Sequence, residues 1–253
     1  MSELRDLVID AHGGIERWNK VKAIEGDMSI TGAMWARKGW PDALEAVHVT
    51  ADTRHQWISY RPFISEGTCS VCTPDRTLIE TQDGKPIKDR KNPRAAFDGH
   101  TVETPWDDLN LAYFSGYAMW NYLNAPFIFA LPGFKTEEIE PWHEYGEKRR
   151  RLRVVFPDHI ATHCPEQIFH VDGAGLICRM DTARRSPAVH PPRITCPSTR
   201  IFPESRSLRS GGPFAERRTA PRFPIRCLLQ LTSPTSASHK RTSHFAARDR
   251  RNE

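Results

Sequence analysis

Two short cysteine and histidine clusters carry the residue types most able to do chemistry. Cys69 and Cys72 form a C-x-x-C, the spacing at which two thiols exchange electrons or hold half of a zinc site. Redox work needs a helix N-terminus behind the first thiol, and zinc needs a second Cys/His pair. The surrounding TCSVC reads as a strand, where positions i and i+3 face opposite sides, so two buried or edge thiols without chemistry are expected. His159, His163 and Cys164, in DHIATHC, are the best metal constellation. On a helix the two histidines would share a face, and with Asp158 or Glu166 they could bind zinc for metal-assisted hydrolysis. Pro157 and Pro165 argue instead for a loop with solvated histidines. His12 precedes Gly13-Gly14 without a strand before it, so it reads as a helix-end histidine rather than part of a phosphate loop. No G-x-S-x-G, Walker loop, H-E-x-x-H or G-x-G-x-x-G occurs, and no motif calls for a cofactor. The remaining signal is a surplus of large apolar side chains: Trp35, Tyr113, Phe114, Tyr117, Met119, Trp120, Phe127 and Phe129. Such a set lines a lipophilic pocket or forms ordinary core, and it favours a binding protein over an enzyme.

The elements that must position these residues follow from periodicity. LRDLVIDAHGG predicts a helix with Leu4, Leu7, Val8 and Ala11 on one face, ended by the glycine pair. A short turn, IERWNKV, precedes IEGDMSITGAMWA, read as one long strand with Ile24, Met28, Ile30 and Met34 on a common face. Further strands are read in ALEAVHVTAD and RHQWISYRP, and a hairpin closes at Asp83-Gly84. After a turn-rich stretch, DDLNLAYFSGYAMWNYL predicts a second helix capped by Asp107 or Asp108. The adjacent aspartates point in different directions, so they read as a helix start and not a carboxylate dyad. KTEEIEPW, KRRRLRVVFPD, EQIFHVD and GLICRMD supply later strands, with a tight turn at Asp172-Gly173. Helix, antiparallel strands, inserted helix and more strands mean α+β: a curved antiparallel sheet, an incomplete half-barrel, with both helices against its concave face.

The opening AHGGIERWNKVKAIEGDMSITG resembles the start of lipoprotein-carrier proteins of the LolA/LolB/LppX kind. The resemblance implies an unclosed half-barrel whose concave side, plugged by helices, binds acyl chains or other lipophilic ligands. Those carriers are exported. MSELRDLVIDAHGG has no basic region followed by an apolar one, so this chain is expected in the cytoplasm with reduced cysteines. No apolar run reaches the ~20 residues of a membrane helix.

Charge divides the chain. Residues 182–253 hold 15 Lys+Arg against 4 Asp+Glu, whereas residues 1–181 hold 21 against 27, so the basic balance belongs to the end of the chain alone. Residues 1–181 therefore read as the half-barrel domain, truncated, and 182–253 as a disordered Arg/Ser/Pro-rich tail. The apolar cluster from Cys227 to Leu231 does not suit such a tail. With compatible codons, a shift of one nucleotide near Asp181 turns the last base of Arg226 and the codons through Lys240 into LLVAIDLTDISVT and a stop, an alternating strand at a chain end. The same offset upstream gives strand-like SEHKDF and IAFPTKRRAF without a stop. The tail is accordingly read as a frameshift product that replaces the closing strands. A nucleic-acid-binding arm would show RGG, RS or amphipathic repeats, and none is present.

Overall fold

The computed structural model describes residues 2–144, 146–182 and 226–231, the last segment as backbone. It is α+β, with two antiparallel sheets and four helices, and no closed barrel among the described residues. Helix α1 (Glu3–Ala11) buries Leu4, Val8 and Ile9 but leaves Leu7 44% exposed. The apolar stripe thus turns one position from the expected Leu4-Leu7-Val8-Ala11 face. Gly13 and Gly14 both take positive φ, which ends the helix and starts the single turn α2 (Ile15–Trp18).

Strand β1 (Ala23–Ser29) is shorter than the sequence pattern suggested. It ends at Ser29, and Ala33–Arg37 forms helix α3 with Gly32 at its N-cap, so Met34 and Trp35 leave the sheet. Alternating apolar residues fit either element over so short a stretch. The first sheet continues through β2 (Val47–Asp52), β3 (Ile58–Arg61), β4 (Thr68–Cys72), β5 (Arg76–Thr81) and β6 (Pro86–Lys91) as a meander of antiparallel neighbours. The turn at Asp83-Gly84 joins β5 to β6 as expected.

Helix α4 (Asp108–Asn124) lies across β3 to β6. Beyond it, β7 (Lys135–Glu144), β8 (Glu147–Val155), β9 (Glu166–Val171) and β10 (Ile177–Thr182) form the second sheet, in the order β10-β9-β8-β7. One core joins Val49 and Ile58 of the first sheet to Leu152, Val154, Phe169 and Met180 of the second, with α4 between. A final strand, β11 (Arg226–Leu231), pairs antiparallel with β1 from Ile24↔Leu231 to Ser29↔Arg226. The sequence reading finds no strand after Asp181; the apolar cluster at Cys227 to Leu231 nevertheless occupies this edge. The expectation of disorder for the rest of the tail falls outside the described residues.

Candidate functional site

Helix α4 is built to be surrounded. Every residue from Leu109 to Asn121 is buried, and a helix apolar on all sides is stable only when covered on all sides. Its start is fixed from outside. Asp107 caps it by accepting from the Asn110 N–H at 2.7 Å, while Arg90 on β6 pairs with Asp107 at 2.6 Å and Lys88 with Asp108. Burial pushes the Asp107 carboxyl up, but its bonds to Arg90 and Asn110 outweigh this and hold it below the usual range. Halfway along, Gly116 rests on β4. A Cβ at this position would lie 2.6 Å from Cys72 Cβ and 3.2 Å from Ile58 Cγ2. Tyr60 donates its hydroxyl to Ser115 O at 2.9 Å, and Trp120 Nε1 donates to Asp52 O at 2.7 Å.

The eight apolar candidates separate into three groups. Tyr113, Phe114 and Tyr117 pack ring on ring on α4, with Trp35 set edge-on to Phe114 at 6.1 Å. Met119, Trp120 and Phe129 lie in the same core, Phe129 against Phe134, Phe156 and Phe169. Phe127 belongs elsewhere: it stacks on Trp18 at 4.2 Å in a smaller cluster with Ile9 and Ile24. All eight are buried.

The metal constellation does not assemble. The segment after Pro157 is pinned over α4 by Gln56, which accepts from the Ala161 N–H at 2.7 Å and donates to Ala161 O at 2.8 Å. Asn121 adds a bond to the same carbonyl. That clamp sends His163 inward, against the rings of Phe114 and Tyr117, while His159 stays exposed and the Cys164 thiol donates to Glu166 O. Burial, with the Arg94 guanidinium nearby, lowers the His163 pKa to about 4, so the imidazole is neutral near pH 7. Among the described residues, no three His, Cys, Asp or Glu side chains gather as a metal site. Cys69 and Cys72 sit on β4 as expected. Burial pushes the Cys72 thiol up to about 12, far from a reactive thiolate.

The sequence reading missed a second arc of rings. Phe97, His100 and Trp106, in the turn-rich stretch before α4, join Trp35 and Phe114: Trp106 lies 4.8 Å from Phe114 and 6.4 Å from Trp35, and Phe97 lies 5.5 Å from Trp106. Lys38, just after α3, holds this stretch by donating to the carbonyls of Thr101, Val102 and Thr104 at 2.8–3.0 Å. The signal available in the sequence was three aromatic rings in a segment otherwise made of turn residues.

No family model matches the sequence. No curated protein matches it either. Two solved structures align with the chain. One is a domain described as an outer membrane lipoprotein-sorting protein from Vibrio parahaemolyticus, at 11% identity and TM-score 0.34, covering 69% of this chain and 73% of that one. The other is a DUF1329 family protein from Desulfovibrio piger, at 11% identity and TM-score 0.35, covering 71% of each. No helix among the described residues is long and apolar enough to cross a membrane.

Proposed function

We propose that the protein binds a lipophilic small molecule between its first sheet and α4, in the cleft of an incomplete half-barrel. The observation that supports this reading is a contiguous buried cluster of large apolar and aromatic side chains, Trp35, Tyr113, Phe114, Tyr117, Met119, Trp120 and Phe129, with Phe127 in a separate smaller cluster beside Ile9 of α1. The groups that could do covalent or metal chemistry nearby are arranged not to react. Cys72 is a buried thiol, His163 is held neutral against aromatic rings, and His159 is exposed. The metal-assisted hydrolase reading has no geometry to support it.

The same proposal includes an impaired wall. If residues from 182 onward are an out-of-frame translation, β11 is a substitute for the intended final strand, and the partner of β10 is lost. Organic extraction of the purified chain followed by mass spectrometry tests the binding. A co-purified lipophile is expected, in larger amount from a chain rebuilt in the shifted frame. An empty extract from both chains overturns the proposal.

A further inference from the structure

Four ring nitrogens in one aromatic cluster lack hydrogen bonds. Trp35 Nε1, Trp106 Nε1, His100 Nδ1 and His163 Nδ1 are buried and have no partner among the described residues. Trp35 and Trp106 are only 7% and 5% exposed. Their rings form a continuous chain: Trp35 to Trp106, Trp106 to Phe97, Phe97 to His100, and Phe114 bridging Trp35 and Trp106 to His163. Two other indoles packed nearby are satisfied, Trp40 by Trp106 O at 2.9 Å and Trp120 by Asp52 O at 2.7 Å. Buried donors are paired in nearly all proteins, and a site that leaves several unpaired in one place asks for a ligand group to pair them.

The missing group has a definite chemistry. An indole N–H only donates, so the complement is an acceptor oxygen. The nearest buried cation, the Lys38 ammonium over the Trp106 ring at 5.2 Å, already fills its three donors with backbone carbonyls and is not available to a carboxylate. A carboxylate seated beside Trp35 and Trp106 would be desolvated among rings, since the Arg94 guanidinium lies toward His163 and Tyr113 and donates to Thr162 O at 2.6 Å. We propose that this cluster seats the polar end of the lipophilic ligand, and that the ligand is neutral and carries a carbonyl oxygen that accepts from the indole N–H groups of Trp35 and Trp106. The inference rests on the lipophilic-binding reading above. The rings touch one another, so the ligand enters by lifting the 97–106 segment that Lys38 ties down.

Equilibrium dialysis of the full chain against methyl decanoate, 2-undecanone, undecane and decanoate tests it. The ester and the ketone are expected to bind about tenfold tighter than undecane, the effect of pairing a buried donor. Whichever of the two binds better identifies the carbonyl type. Trp35→Phe and Trp106→Phe keep an aromatic ring, a smaller one, and remove the N–H. Each is expected to narrow the ratio of carbonyl-ligand to undecane affinity, whatever the smaller ring costs all four ligands in common. Equal affinity for ester and undecane, variants that weaken all four ligands alike, or decanoate as the tightest ligand overturns the inference and leaves lipophile binding standing. Binding of none of the four removes the underlying reading as well. The comparison on the unaltered chain needs no variant, so a substitution that fails to fold does not spoil the test.

Discussion

His163 shows how one side chain is settled by distant neighbours. Its ring is neutral because burial, then Arg94, lowers its pKa from 6.5 to about 4. The unfolded chain takes up a proton at the higher pH, so this residue costs nothing above about pH 7. Stability is lost as pH falls from 6.5 to 4, by up to about 3 kcal/mol. His163→Gln removes that part of the acid dependence, and denaturant midpoints of both proteins at pH 7.5 and 4.5 check it. A histidine on the surface would leave the two profiles parallel. Lys38 makes the opposite kind of commitment, a buried charge fully paired. Lys38→Met strands three carbonyls and is expected to lower stability by roughly 2–3 kcal/mol, read as a drop in the urea midpoint at an unchanged slope.

At the scale of elements, α4 depends on one missing side chain. Gly116→Ala places a methyl group where Cys72 already sits, and the helix must rise off β4. A loss of about 1–3 kcal/mol in thermal or urea unfolding is expected; no loss would mean that the helix is not seated as described. This level was partly legible. The Asp107 cap, the Asp83-Gly84 turn and most strands follow from local rules, because each depends on residues a few positions apart. The end of β1 at Ser29 was not legible, since Met28, Ile30 and Met34 alternate acceptably for a strand and only tertiary packing takes Met34 and Trp35 into α3. Nor was the divergence of His159 and His163. It is set by Gln56 and Asn121, which reach Ala161 from remote parts of the chain.

For the whole molecule, the division of charge near Asp181 was plain in the sequence, and so was the apolar cluster from Cys227 to Leu231, although no strand was read there in the frame as written. The pairing of that segment with β1 was not, because strand partners are chosen by exposed edges rather than by local pattern. The two sheets share one core, and β10 and β1 are not paired among the described residues; the proposed shift of frame makes a direct prediction here. A chain rebuilt in the shifted frame is therefore expected to show a higher urea midpoint than the natural one. An equal or lower midpoint would count the present tail as a working part of the fold. The central claim, a lipophile held between the first sheet and α4, is tested most directly by hydrogen exchange with and without methyl decanoate. Added protection in residues 97–124 is the predicted result; protection that is unchanged there, or gained only along α1 and the second sheet, would contradict it.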